Sequence, residues 1–201
     1  MKIGVLGGTF DPVHLGHLAI AEEARKRLLL SRVIFIPAGQ PWLKTDRTIT
    51  PASHRIKMIE IARGTNPYFK VSAIEIDRKG PSYTVDTLSV IKRDLGTEAK
   101  LFLILGWDSL IELPKWHNPD VLVEMCTLVA FTRINTERPD LVALDELVPG
   151  IQQNTIMLDI EPIDISSTDV RERAARGLSL RRLVPDRIGR YIRENNLYKS
   201  V

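Results

Sequence analysis

Six short apolar runs rich in Val, Ile, Leu and Phe alternate along the chain with longer segments in which apolar residues recur at helical spacing. Several of these runs are apolar throughout, as strands are when a parallel sheet buries both of their faces. Helices between such strands favour right-handed βαβ units in an α/β fold. The predicted strands are residues 2–7, 32–38, 69–76, 101–106, 127–132 and 155–160.

The segments between the strands predict six helices, one of which has clear start and stop signals. Thr50 precedes Pro51 at its start, and Gly64 follows its end. A chain of 201 residues has room for one α/β domain of ordinary size, so we assign residues 1–201 to a single domain. Its C-terminal helical part, about 167–201, is expected to pack on the same domain. The predicted helices are residues 17–29, 50–64, 84–96, 118–126, 167–177 and 184–196.

Residues suited to ligand binding or catalysis follow the predicted strands directly. The stretch "GGTFDPVHLGH" follows the first strand, "DRKGPSYT" the third and "GWDSL" the fourth, while "DISSTDVR" comes soon after the last. Open parallel sheets bind ligands over the carboxyl ends of their strands, where the strand order reverses. We therefore expect these stretches to form one binding site.

Two histidines, His14 and His17, lie at the predicted start of the first helix, with Gly16 between them. The preceding Gly7 and Gly8 let the main chain approach a ligand closely, and amides at a helix start receive phosphate oxygens. The stretch matches neither the dinucleotide-binding glycine motif nor the P-loop.

Three interpretations of the histidine pair stay open. The two rings form a ligand-binding pair on one helix face, or they are helix-terminal caps or surface residues, or they belong to a zinc site. Zinc is disfavoured because the other histidines, His54 and His117, stand in unrelated contexts. No serine or cysteine stands in a nucleophile elbow, which favours binding and charge stabilisation over covalent catalysis.

Charge is distributed unevenly along the chain. Residues 171–201 carry nine Lys and Arg against three Asp and Glu, whereas the rest of the chain carries 19 against 22. Such a basic segment is more often a solvated helix face than a nucleic-acid site, so we expect an anionic small molecule as ligand. No apolar run approaches the roughly 20 residues that span a bilayer, and no signal-peptide pattern occurs. The single cysteine, Cys126, excludes an intrachain disulfide, and we expect a cytoplasmic protein without nucleic-acid or membrane partners.

The stretches "GGTFDPVHLGH" and "SSTDVR" resemble the two signature motifs of nucleotidyltransferases, His/Thr-x-Gly-His and Ser-Ser-Thr-x-x-Arg. With "PAGQPWLK", "EIDRKGPSYT", "GWDSL" and "LPKWH", the chain is similar over nearly its whole length to the bacterial nicotinate mononucleotide adenylyltransferases. The resemblance implies a Rossmann-like, doubly wound sheet, mostly parallel, with helices on both faces. It also implies adenylyl transfer from ATP to nicotinate mononucleotide, a step of NAD biosynthesis, by direct in-line attack with Mg²⁺ bridging the phosphates.

The resemblance implies a catalytic role for His17, nearest the α-phosphate of ATP, supported by His14, Lys44 and Arg171. Gly16 is implied to lie against the adenine. The hydroxyls and amides that begin the later helix would receive the β- and γ-phosphates, although Ser/Thr helix capping explains the same residues structurally. The implied ATP-binding residues are Gly8, Thr9, Phe10, His14, Gly16, His17, Ser167, Thr168 and Arg171.

A second set of residues is implied to bind the acceptor substrate. Thr84, with the main chain near Tyr83, would bind the nicotinate carboxylate, Trp116 would stack on the pyridine ring, and Asp108 would orient ribose hydroxyls or the metal. From the residues alone, Trp116 is also interpretable as a packed aromatic and Asp108 as a helix cap. The implied substrate-binding residues are Lys44, Tyr83, Thr84, Asp108, Trp116 and Arg133, and no metal site built by the protein alone is implied.

Two places depart from the pattern of this family. The family usually has histidine just before the basic residue of the second loop, where this chain has Leu43 after Trp42. It commonly has a small residue where Trp107 stands. These departures bear on the role of Lys44 and on the shape of the site beside Asp108.

Three other functions share part of the pattern. Phosphopantetheine adenylyltransferases have both phosphate motifs but lack the "GPSYT" and "LPKW" stretches. Nicotinamide mononucleotide differs from the acid in one hydrogen-bonding group, so it is a close alternative acceptor. An ATP-binding regulatory protein is the alternative that is not an enzyme, and the complete set of phosphate-contacting residues argues against it. A homo-oligomer is compatible with the sequence.

Overall fold

The computed structural model describes residues 1–40, 49–96, 98–132, 136–160 and 164–199. At its centre lies a six-stranded sheet with the strand order β3-β2-β1-β4-β5-β6, and every described pairing is parallel. The chain leaves β1 toward one edge and returns at β4 to build the other half, so the order reverses between these two neighbours. The strands are β1 (Lys2–Gly8), β2 (Arg32–Pro37), β3 (Phe69–Val71), β4 (Lys100–Gly106), β5 (Thr127–Phe131) and β6 (Thr155–Leu158).

Helices cover both faces of the sheet, which confirms the predicted Rossmann-like, doubly wound architecture. All six predicted helices are present, with ends that shift by one or two residues. The helices are α1 (Leu15–Leu28), α2 (Ala52–Arg63), α3 (Ile74–Asp77), α4 (Thr84–Leu95), α5 (Trp107–Glu112), α6 (Pro119–Met125), α7 (Leu141–Leu147), α8 (Ser167–Ala175) and α9 (Asp186–Glu194), with a 3₁₀ helix at Leu113–Lys115.

The core forms two apolar layers, one on each face of the sheet, because successive strand side chains point to opposite faces. In β4, Leu103 and Leu105 enter the layer under α4 to α7, whereas Phe102 and Ile104 enter the layer under α1, α2, α8 and α9. The basic C-terminal segment therefore contributes its apolar residues to the same layer as α1 and α2.

The predicted third strand, 69–76, is too long. Strand β3 ends at Val71, and the next residues form the short helix α3. Alternation of apolar residues through Phe69 and Val71 changes phase at Ile74, which packs against the core, while Glu75 is buried beside it. Helices α5, α7 and the 3₁₀ helix were not predicted, because they are too short to show a helical period.

Cys126 is buried at the end of α6, and burial raises the pKa of its thiol to about 12. It therefore packs as a small apolar side chain. Among the described helices, none has both the length and the apolar composition that crossing a membrane requires.

Gly39, just beyond β2, lies where the loop after β2 packs closely against main chain from α3. Its amide donates to Ser82 Oγ at 2.9 Å, and a Cβ at this position would overlap the carbonyl oxygen of Glu75. Because the clash involves main chain, side-chain rotation cannot relieve it. We expect Gly39→Ala to lower the free energy of unfolding by about 2–4 kcal/mol in urea titrations.

The matched control is Gly189→Ala in α9, where the nearest atom to a new Cβ lies at 3.8 Å. Alanine should raise the free energy of unfolding there by up to about 1 kcal/mol, because it favours helix more than glycine does. Similar effects of the two substitutions would contradict the packing at Gly39.

Candidate active site

An open cleft of about 300 Å³ lies over the carboxyl ends of the central strands. It occupies the reversal of strand order between β1 and β4, where a doubly wound sheet leaves a crevice. Nine of the residues singled out from the sequence line its wall: Gly8, Thr9, His14, Gly16, His17, Tyr83, Thr84, Asp108 and Trp116.

The two histidines form a stacked pair at the start of α1. His14 is the N-cap residue, and its main-chain N–H donates to Nδ1 of His17 at 3.2 Å. The ring centroids lie 3.7 Å apart, with an angle of 32° between the planes. Because Nδ1 of His17 accepts this bond, a neutral His17 carries its proton on Nε2. The pair therefore contributes to the cap of the helix, and both residues lie at the cleft wall.

Phe10 packs against one member of the pair, His17. Its ring is buried and makes an edge contact with the His17 ring at a centroid distance of 5.0 Å. The residue adopts φ +49°, a left-handed conformation that non-glycine residues adopt at a cost of order 1 kcal/mol or more. Phe10 thus contributes packing by its side chain, and its main-chain amide is the group that the sequence analysis assigned to phosphate.

The start of α8 docks on the loop between β1 and α1. Ser167 Oγ donates to the Pro12 carbonyl at 2.9 Å, across 155 residues of sequence. Arg171 Nη1 donates to the Asp11 carbonyl at 2.8 Å. The two signature stretches are thereby joined into one unit.

The three hydroxyls of "SST" each make a different hydrogen bond. Ser166 Oγ caps α8 by accepting the Asp169 amide at 3.0 Å, Ser167 binds the loop, and Thr168 Oγ1 accepts from Arg171 Nη2 at 3.0 Å. Ser/Thr capping of this helix is therefore present, but at Ser166. As far as the structure describes it, the cleft wall includes none of Ser167, Thr168 and Arg171.

Arg55 was missed by the sequence analysis. It is 2% exposed and donates from Nε to the Thr50 carbonyl and from Nη1 to the Thr9 carbonyl, both at 2.9 Å. Burial lowers the pKa of its guanidinium, and the nearby Asp11 carboxylate opposes that shift. Arg55 lies three residues before Met58 and four before Ile59, both of which are buried, so it places a charge on the apolar face of α2. This charged residue at an apolar position is the signal in the sequence that could have identified Arg55.

Glu75 was also missed, although it lines the cleft. The side chain is buried and accepts a bond from Thr87 Oγ1 at 2.8 Å. Burial raises the pKa of the Glu75 carboxyl, while hydrogen bonds from Thr87 and Ser82 and the charge of Arg78 oppose the shift. The wall beside α4 therefore favours a neutral carboxyl.

Tyr83 and Thr84 begin α4 at the cleft wall. Tyr83 occupies the N-cap position, where short polar residues usually satisfy the first amides of a helix. Its ring stacks on His117 with a centroid distance of 4.2 Å and an interplanar angle of 21°. This end of α4 offers main-chain donors and an aromatic surface to an anionic ligand.

Two tryptophans lie near the same wall in different roles. Trp116 packs against the core and also lines the cleft, and its buried indole N–H meets no acceptor among the described residues. Trp107, which precedes Asp108 in α5, is buried in the core layer under α4. The structure thus places the bulk of Trp107 in the interior.

Lys44, Arg133 and the Trp42–Leu43 departure lie outside the described residues. Within the described ranges, no three His, Cys, Asp or Glu side chains gather closely enough to hold a metal ion. Asp108 supplies a carboxylate on the cleft wall, which suits a Mg²⁺ ion held mainly by substrate phosphates.

Comparisons with known proteins agree with this geometry. Residues 5–173 match the cytidylyltransferase-like family. A protein of Dehalococcoides mccartyi named probable nicotinate-nucleotide adenylyltransferase is 49% identical, over 98% of this chain and 97% of the relative. A protein of the same name from Roseiflexus sp. is 46% identical over 98% of both chains. The Plasmodium falciparum nicotinic acid mononucleotide adenylyltransferase complexed with NaAD shares the fold, with a TM-score of 0.81 and 18% identity over 98% of this chain and 97% of that one.

Glu75 makes the stability of the fold depend on pH. Because its pKa is raised on folding, the folded protein binds this proton more tightly than the unfolded chain does. The stabilisation is complete below the ordinary carboxyl pKa of 4.5 and is lost as pH rises through the raised value. Glu75→Gln abolishes the titration and keeps an acceptor for Thr87.

We therefore expect the unfolding free energy of the unmodified protein to fall relative to Glu75→Gln between acidic and neutral pH, in urea titrations at each pH. Glu146→Gln, exposed on α7, controls for removal of a carboxyl as such. A difference that stayed constant or grew with pH would exclude a buried, proton-retaining Glu75.

Proposed function

Because this chain belongs to the nicotinate-nucleotide adenylyltransferases of the cytidylyltransferase-like family, we propose that it transfers the adenylyl group of ATP to nicotinate mononucleotide. The products are nicotinate adenine dinucleotide and pyrophosphate, and the reaction is a step of NAD biosynthesis. The observation that carries the proposal is the bonding of Ser167 and Arg171 in α8 to the loop between β1 and α1, which leads into the His14–His17 pair at the cleft wall.

The reaction needs positioning and charge stabilisation. A phosphate oxygen of nicotinate mononucleotide attacks the α-phosphorus of ATP and forms a new P–O bond, while the bond to the bridging oxygen of the β-phosphate breaks and its electrons leave with pyrophosphate. The attacking phosphate is already an anion, so no general base is required. In-line placement of the two substrates and donors aimed at the developing charge supply the acceleration without a covalent intermediate.

His17 is the leading candidate for the contact to the α-phosphate. The bond from the His14 amide fixes the ring, and in the neutral imidazole it places the proton on Nε2. The His14 ring lies beside it at the cleft wall, with 32° between the ring planes, and the amides of Gly8, Thr9 and Phe10 add main-chain donors. Gly16 leaves space for a flat base against α1.

The α8 side is assigned to the β- and γ-phosphates, through Ser167, Thr168 and Arg171. The guanidinium of Arg171 is bound to the Asp11 carbonyl, so this side chain holds a positive charge beside the loop. The charge is permanent because arginine stays protonated in proteins. Lys44 and Arg133 are proposed as further cations for the phosphates and the acceptor.

The α4 side of the cleft is assigned to nicotinate mononucleotide. Thr84 and the main chain at Tyr83 offer donors at a helix N-terminus, where a carboxylate is favoured over a neutral amide by the helix dipole. Trp116 presents an aromatic surface and an indole N–H, and Asp108 supplies an acceptor for ribose hydroxyls.

Mg²⁺ enters with ATP in this proposal and neutralises charge on the transferred and departing phosphates. Asp108 is the described cleft residue suited to it. We further propose a cytoplasmic enzyme, which the absence of any disulfide at the single, buried Cys126 supports, with no partner beyond its small-molecule substrates and copies of itself.

The proposal predicts which acceptor is used. Purified protein with Mg-ATP should release pyrophosphate fastest with nicotinate mononucleotide, and more slowly with nicotinamide mononucleotide or phosphopantetheine, in parallel coupled assays. The expected preference for the acid over the amide is at least about 10-fold in kcat/KM, since one hydrogen-bonding group distinguishes them. Preference for the amide or for phosphopantetheine would refute the assignment of the α4 side.

The double role of His17 predicts a separation of stability from turnover. His17→Asn keeps a side-chain acceptor for the His14 amide and loses the outer ring nitrogen. We expect kcat/KM to fall at least about 100-fold, as loss of a transition-state contact does, with an unchanged melting temperature.

His17→Ala should show the same loss of turnover and, in addition, lose about 1 kcal/mol of stability with the cap. His54→Asn, on α2 and away from the cleft wall, serves as the matched control. Near-normal turnover of His17→Asn would remove His17 from the mechanism.

A further inference from the structure

The carboxylate of Asp11 connects the loop between β1 and α1 to the C-terminal end of the chain. Asp11 is 1% exposed, and its Oδ1 accepts a bond from the Tyr198 hydroxyl at 2.9 Å, across 187 residues of sequence. Its Oδ2 accepts from the Thr50 amide at 3.4 Å, and the Arg55 guanidinium attracts it electrostatically. Tyr198 is thus bonded to the side chain that follows the left-handed Phe10.

The loop requires such contacts, because its backbone conformation is not locally favourable. Phe10 is at φ +49°, and the carbonyls of Thr9, Asp11 and Pro12 are each bound by a side chain from elsewhere in the chain. In a peptide unit the C=O and N–H groups point in opposite directions. The bond from Arg55 to the Thr9 carbonyl therefore turns the Phe10 N–H away from Arg55.

We propose that Tyr198 is a positioning residue for ATP: its hydroxyl, acting through Asp11, holds the loop of residues 9–12 in the conformation that binds the phosphates. The inference rests on the proposed function. Tyr198 does not line the described cleft, so its effect reaches the nucleotide only through the loop.

The Tyr198 hydroxyl is suited to this role. It is partly buried, and burial, reinforced by the charge of Asp11, raises its pKa. The hydroxyl therefore keeps its proton at neutral pH and remains a donor. A hydrogen bond from a neutral hydroxyl to a carboxylate is among the stronger ones available to a side chain.

A second tyrosine provides a matched comparison. Tyr191, in α9, bonds its hydroxyl to Nδ1 of His54 on α2 at 2.8 Å. Both hydroxyls therefore connect the C-terminal segment to the rest of the fold, but the Tyr198 bond ends on the loop. Loss of either should weaken docking of the C-terminal segment, whereas only loss of the Tyr198 hydroxyl should disturb nucleotide binding.

The test compares Tyr198→Phe with Tyr191→Phe, each at the same interval below its own melting temperature. Calorimetric titration with Mg-ATP alone should give a dissociation constant raised about 10-fold in Tyr198→Phe and changed less than about twofold in Tyr191→Phe. In the turnover assay, KM for ATP should rise similarly in Tyr198→Phe, while KM for nicotinate mononucleotide stays within about twofold.

Equal weakening of Mg-ATP binding in the two variants, or an equal rise in both Michaelis constants of Tyr198→Phe, would overturn the proposal. The binding measurement needs no acceptor, so a wrong acceptor assignment and a wrong role for Tyr198 give different results. Both phenylalanine variants keep the aromatic ring and its packing, so we expect both to fold.

The route through Asp11 is tested by a double-mutant cycle. In an Asp11→Ala background, Tyr198→Phe should change Mg-ATP affinity less than about twofold, because its acceptor is already absent. A further 10-fold loss in that background would overturn the route. If Asp11→Ala does not fold, the comparison of the two tyrosines still decides the proposal.

Discussion

The shape of the loop between β1 and α1 is imposed from outside the loop, and the binding site depends on that constraint. Arg55, Arg171 and Ser167 bind its carbonyls, and Leu183 accepts the first amide of α1, Leu15, at 2.9 Å. These partners come from α2, from α8 and from the turn before α9. The loop beside the cleft therefore has all its partners only when the C-terminal helices have packed on the sheet, which gives the basic segment a structural purpose apart from its charge.

The sequence was sufficient for the fold and the reaction class because both depend on local patterns. Runs apolar on every residue marked the buried strands, and two short motifs at the ends of distant strands marked the nucleotidyltransferase, which the comparisons confirm. The strand prediction was wrong from Ile74 onward, where apolar residues still occur but the chain has turned into α3. A side chain that packs on the core from a short helix follows no period that distinguishes it from a strand residue.

The support of the site could not be derived from the same patterns. Nothing near Asp11 indicates a partner 187 residues away, and nothing within "SST" tells which hydroxyl caps α8 and which binds Pro12. Such pairings are set by tertiary packing, and a single sequence carries no record of them. Nine of the predicted site residues lie together at the cleft wall, Glu75 was missed, and the individual roles of these residues toward the ligand stay predictions.

The histidine pair illustrates why a cap and a ligand contact are compatible in one motif. The His17 ring takes the His14 amide, and the Leu183 carbonyl takes the Leu15 amide, so two of the first donors of α1 are satisfied within the protein. The positive end of this helix, whose first turn has no acidic residue, lies at the cleft wall, and Nε2 of His17 is the donor proposed for a phosphate. A donor fixed by the fold before the ligand arrives loses little entropy on binding, as electrostatic stabilisation of a transition state requires.

Electrostatic complementarity in this cleft depends on burial and placement more than on the number of basic residues. Arg171 is bound to the loop, whereas Arg181, Arg190 and Arg193 are exposed around a separate surface groove. On the wall beside α4, burial raises the pKa of Glu75 and so disfavours the charged form of this carboxyl group. A site for two negatively charged substrates can therefore contain a carboxyl group, provided that the fold withdraws that group from water.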